Sequence, residues 1–92
     1  MNKRMIEHGY LIIEKLKAIN IQNYELASNC RDKERLSHQT YFKEIDINKL
    51  HSMIFGKENI NLSYKEKIEI YEKLMETFKR SNKIKKIFKN DL

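Results

Sequence analysis

The sequence predicts an all-α domain, and three observations carry that expectation. There is no proline in 92 residues, and Gly9 and Gly56 are the only glycines. Sheets built from short strands need turn residues at close, regular intervals, and this chain cannot supply them. Apolar residues instead recur three and four positions apart, the period of a helix face. The length fits a single domain whose core hides roughly 60–65% of the unfolded chain's surface. The expected architecture is a compact bundle of about five helices with a long C-terminal helix.

Residues 3–19 form the first predicted helix, with Ile6, Tyr10, Ile13 and Leu16 on its apolar face and Glu7, Glu14, Lys15 and Lys17 elsewhere. The pattern stops at Asn20. Gln22 and Asn23 then start a short second helix through Tyr24, Leu26 and Ala27. Residues 31–44 form a polar third helix that buries Leu36, Tyr41 and Phe42, with Ile45 just beyond. Asp46 caps a short fourth helix over residues 47–55, with Leu50, Met53 and Ile54 on its apolar side. Gly56 ends it in the left-handed conformation. Residues 58–62 are a loop. Ser63 and Glu66 make a capping box for a long fifth helix marked by Ile68, Tyr71, Leu74, Met75 and Phe78. Ser81 and Asn82 interrupt it before Ile84, Ile87 and Phe88 resume the stripe. Residues 1–78 are expected to be the helical domain, and residues 79–92 a basic amphipathic tail or helix extension.

Nineteen Lys and Arg against thirteen Asp and Glu give a formal charge of +6. Such an excess favours polyanions, nucleic acid first and an anionic membrane surface second, with plain solubility as the bland alternative. The lone Cys30 excludes an intramolecular disulfide. No apolar run approaches the ~18 residues of a spanning helix. The basic start breaks at Glu7 and His8 with no small-residue cleavage site, so a reducing cytoplasm is the expected location. Asn61-Leu62-Ser63 matches a glycosylation acceptor only formally.

The residues of catalysis are missing from the pattern. No glycine-rich loop cradles a phosphate. His8, His38 and His51 are scattered, and with Cys30 they form no zinc spacing. Cys30 beside His38 reads as a small buried hydrophobe rather than a nucleophile. The carboxylates each lie near Lys or Arg, as on a solvated helix surface. No enzyme activity, cofactor or metal is expected.

The segment from Ile45 to Leu62 carries the functional reading. A buried aliphatic, Ile45, precedes the polar cap Asp46, a short helix, inward Leu50 and Met53, then Gly56, a polar loop and Leu62. Upstream stands Asn23-Tyr24-Glu25-Leu26-Ala27. Together these segments resemble the Cro/repressor (XRE-type) helix-turn-helix family, over about residues 5–78. In that resemblance residues 47–55 are the recognition helix, and Ala27 is the small residue that lets its partner helix approach. Ala27 and Gly56 lie farther apart than in the family, and Arg31 stands where a turn glycine is usual. Residues 31–43 are then an inserted helix between the two halves of the motif.

The resemblance implies duplex DNA as partner, with residues 46–55 in the major groove. Asn48 and Lys49 have donors for purine edges, with His51 and Ser52 next in reach. Lys57 and Asn59 would hold phosphates and set register. Gln22 and Asn23 would offer side-chain and backbone N–H groups to another phosphate. For each of these residues the plain alternative is the wet face of a short helix.

In the tail, Lys79, Arg80, Lys83, Lys85, Lys86 and Lys89 stand without an acidic residue between positions 79 and 90. Three readings compete: a basic arm on nucleic acid, a homodimer through the C-terminal helix with Phe78, Ile84, Ile87 and Phe88 as its seam, and an amphipathic membrane helix. Three apolar residues anchor weakly, so the membrane ranks last. The favoured function is a small sequence-specific DNA-binding transcriptional regulator, with small size and Lys/Ile/Asn-rich composition pointing to a phage or mobile element. The alternative is a small helical-bundle protein that binds another protein, such as a phage-type inhibitor or immunity factor. A regulator should gather Lys49, Lys57 and the basic residues of 31–35 on one face.

Overall fold

The computed structural model describes the backbone of residues 3–56 and 62–91, and side chains as far as Arg80. Four helices follow one another: α1 (Lys3–Asn20), α2 (Tyr24–Tyr41), α3 (Ile47–Phe55) and α4 (Tyr64–Asp91). No strand occurs among the described residues, so the chain is all-α. No helix among them is long and apolar enough to cross a membrane.

Two expected boundaries are not there. The predicted second and third helices are one continuous helix, α2, and α4 runs through Ser81 and Asn82 without a break. The reason is the same in both places. Polar residues such as Asn29 and Ser81 lower helix propensity by only a few tenths of a kcal/mol, whereas Gly costs about 1 kcal/mol and Pro about 3, and neither is present at these places. The actual ends lie where local chemistry closes them. Asn23 caps α2 with its side-chain oxygen accepting from the Leu26 N–H, and Gln22 in the preceding turn takes φ 60°. Asp46 accepts from the N–H groups of Asn48 and Lys49 to start α3. Ser63 Oγ accepts from the Glu66 N–H at the start of α4. Gly56 ends α3 with its N–H donated to Ser52 O, at φ 79° and ψ −166°. The positive φ is as expected, but the extended ψ makes this a glycine-only conformation rather than the left-handed helical one.

α1 is the central element and packs against each of the other three helices. The core joins Ile6, Ile12 and Ile13 of α1 with Phe42, with Leu50, Ile54 and Phe55 of α3, and with Tyr71 and Met75 of α4. Tyr10, Leu16, Ile45, Ile68, Leu74 and Phe78 are partly buried against it. Phe55 and Tyr71 stack with ring centroids 3.9 Å apart. A Cβ on Gly9 would stand 2.6 Å from Met75 Sδ and 3.2 Å from Ile54 Cγ2, so this glycine is what lets α1 meet α3 and α4 so closely.

Three predicted inward residues, Leu36, Tyr41 and Met53, point outward, and so does Leu26. α2 leans mainly on α1, so only a narrow stripe of it is covered: Ala27, Cys30 and Glu34, three and four positions apart. Leu26 and Leu36 fall beside that stripe. Cys30 is buried, as a small hydrophobe should be. Glu34 departs from the expected solvated carboxylates, since it is buried and held 2.7 Å from Lys15 Nζ.

Candidate polyanion-binding face

α3 folds back beside the middle of α2, and a groove of about 470 Å³ opens between them. Ile12, Lys15 and Leu16 of α1 line it with Arg31, Glu34 and Arg35 of α2, and Ile47, Asn48, His51 and Ser52 of α3 complete it. The charge balance follows from the contacts. Glu34 is the carboxylate of the lining, and Lys15 occupies it at 2.7 Å. Arg31 and Arg35, one turn apart on α2, have no ion pair among the described residues. Two exposed guanidinium groups therefore face a concave surface with no counter-charge of their own.

The site residues expected from sequence divide around this groove. Asn48 and Ser52 line it, exposed, with the Ser52 hydroxyl donating to Asn48 O. His51 lines it half-buried, its ring tilted against Phe55 and edge-on to Tyr71. Lys49 is exposed but lies one helical step further round α3 than Asn48, beside the exposed Met53. Leu50 and Ile54 are therefore the inward aliphatics, and Met53, expected inward, belongs to the outer arc with Asn48, Lys49 and Ser52. Lys57 and Asn59 lie outside the described residues.

Gln22 and Asn23 sit at the far end of α2, eight positions before Arg31, or about 12 Å along the helix. They are not brought to the groove, and the Asn23 side-chain oxygen is engaged in its own cap. The N-terminus of α3 is likewise answered from within, because the Asp46 carboxylate takes the N–H groups of Asn48 and Lys49. An approaching phosphate would meet that negative charge there.

The basic residues of 31–35 do not share one face. Arg31 and Arg35 line the groove, whereas Lys33 lines a smaller hollow on the other side of α2 with Leu11, Leu36 and Tyr41. Of the basic tail, Lys79 places its Nζ 5.5 Å from the centre of the Tyr10 ring, and Arg80 is exposed. Lys83, Lys85, Lys86 and Lys89 lie on the α4 backbone, with side chains outside the described residues.

Sequence reasoning missed Lys15, and it named the basic residues of 31–35 only as a group, without separating Arg31 and Arg35 from Lys33. In sequence Glu34 stands three positions after Arg31 and Asp32 three before Arg35, so no local signal marked the pair as unanswered. Their convergence with α3 depends on how α2 lies on α1. The three histidines, scattered in sequence, also draw together. His8 is fully buried on α1, and its ring feels the charges of Glu34, His38, Lys15 and His51. Among the described residues no group of His, Cys, Asp or Glu could hold a metal ion. No family model matches the chain, and the searches of curated proteins and of solved structures found no match either.

Proposed function

We propose that the chain is a small DNA-binding regulator that presents α3 to the major groove and uses Arg31 and Arg35 against the flanking phosphates. The observation that supports this reading is the adjacency of two unpaired arginines on α2 to the exposed polar arc of α3. Arginine forks bind phosphate oxygens in pairs. Asn48, Lys49 and Ser52 carry donors and acceptors suited to base edges. The net charge of +6 supplies the long-range attraction such binding needs. The resemblance to the Cro/repressor helix-turn-helix family stays within this proposal, with one long α2 in place of a short helix and an insertion.

The test is a fluorescence-anisotropy titration of the full chain with a selected duplex and with random duplex at two salt concentrations. Asn48→Ala should weaken the selected complex by about 1–3 kcal/mol and leave random duplex nearly unaffected. Arg31→Gln with Arg35→Gln should weaken both and flatten the salt slope by about two. If neither duplex binds at low salt, the reading is wrong.

One observation favours the second reading, a bundle that binds another protein. The α1–α2 corner exposes Ile21, Tyr24 and Leu26, at 68%, 66% and 42% of their surfaces. Large apolar side chains gathered at a corner are the material of a protein interface. Substituting Ile21 and Tyr24 with Ser would leave DNA affinity unchanged on the first reading and abolish function on the second.

A further inference from the structure

We infer that the α2–α3 groove is a phosphoryl-binding site that accepts a free phosphorylated small molecule in competition with the nucleic-acid backbone. The inference rests on the polyanion reading of this face and goes beyond it by naming a second class of ligand. Its basis is the arrangement of charge. Arg31 and Arg35 stand i, i+4 on one face of α2, a spacing at which like charges repel and weaken the helix. In many helices a neighbouring carboxylate relieves that repulsion. Here Glu34 is held by Lys15 at 2.7 Å and is itself buried, and Asp32, exposed between the two arginines in sequence, forms no ion pair with either among the described residues. The arginines are left to an external anion.

The surroundings specify what kind of anion. Guanidinium groups present paired N–H donors that match the oxygens of a phosphoryl group. Across the groove the Asn48 amide and the Ser52 hydroxyl add neutral donors, the hydroxyl by turning from Asn48 O. Ile12, buried, and Leu16, half-buried, line the groove as well, and apolar groups beside a charged contact lower the local dielectric and strengthen it. A volume of about 470 Å³ exceeds the needs of a single phosphate. It falls in the range of small-molecule sites, so the remainder of a nucleotide has room beside Ile47 and His51.

The experiment uses the full ¹⁵N-labelled chain with sodium pyrophosphate as probe, ionic strength being held constant with sodium chloride. Saturable shifts centred on the Asn48 and Ser52 amides are expected. Arg31→Gln and Arg35→Gln should each weaken binding by about tenfold. Lys33→Gln, on the opposite side of α2, should leave it unchanged. In a parallel anisotropy titration, pyrophosphate should raise the protein concentration needed to bind duplex DNA, beyond the effect of matched chloride. Shifts that never saturate, or an equal loss in Lys33→Gln, would overturn the inference. So would a hexaglutamate peptide that displaces pyrophosphate at lower concentration, since the groove would then suit an acidic protein segment. Saturable pyrophosphate binding without DNA binding keeps this site and removes the DNA reading. DNA binding without saturable pyrophosphate binding does the reverse.

Discussion

His8 Nδ1 on α1 lies 3.0 Å from Ser37 Oγ on α2, in a ring that is fully buried and edge-on to Phe42. The other ring nitrogen, Nε2, has no hydrogen-bond partner among the described residues. Burial holds the His8 pKa below the ordinary histidine value. Glu34 opposes the shift, and His38, Lys15 and His51 add to it. The folded protein therefore refuses a proton that the unfolded chain accepts. Stability should be level above about pH 6.5 and fall as the pH drops below it, because in that window the unfolded state binds more protons. Urea midpoints measured between about pH 7.5 and 5.5 should fall less steeply in His8→Phe than in the parent chain. Equal slopes would mean that His8 takes up its proton without unfolding.

Lys15 and Glu34 join α1 to α2 through a pair whose side chains are 22% and 9% exposed. That setting is intermediate between a surface pair and a buried one. Lys15→Met or Glu34→Gln should each cost about 1–3 kcal/mol, since each leaves its partner short of a counter-charge. The double variant Lys15→Met/Glu34→Leu should cost less than the two single losses together. Additive costs in denaturant unfolding would deny the coupling.

Gly9 has no room for a methyl group beside Met75 Sδ. Gly9→Ala should destabilise by about 1–3 kcal/mol as overpacking does. Met75→Ala alone should cost about 2–5 kcal/mol through the cavity it opens. Combined, the second change should cost less than it does alone, because the new methyl group enters the space that Met75 leaves. A double-mutant cycle with zero coupling would place the two residues apart.

The two candidate inward aliphatics of α3 separate cleanly. Leu50 is fully buried and Met53 is half exposed. Leu50→Ala should cost about 2–5 kcal/mol, and Met53→Ala should stay within about 0.5 kcal/mol. Ile68, only partly buried, should fall between them. Comparable thermal shifts for Leu50→Ala and Met53→Ala would show that α3 is rotated relative to the core.

What was legible in the sequence is mostly local. Asp46, Ser63 and Gly56 each close a helix end with groups inside the same turn, so their roles follow from spacing and backbone chemistry. The expected break between Ala27 and Arg31 came from reading a polar run as a boundary. Polarity says which side of a helix is wet, and it does not stop the helix. The all-α class was equally secure, because it follows from missing turn residues and a helical period.

Faces and partners were decided only by the tertiary structure. Whether Leu36 or Glu34 is buried depends on how many neighbours α2 has. It leans mainly on α1, so its covered stripe is too narrow for Leu36, while Lys15 makes burial of Glu34 tolerable. His8 entered the core for the same kind of reason: Ser37 and Phe42 meet it from α2 and the turn that follows. The candidate site was half legible. Asn48 and Ser52 were read from a short exposed helix, but Lys15, Arg31 and Arg35 reach them from two other helices. Helix propensity and capping act within about a turn of the chain, so a sequence determines them by itself. Convergence of charges on a groove depends on packing between distant segments, and that was decided by the core around α1.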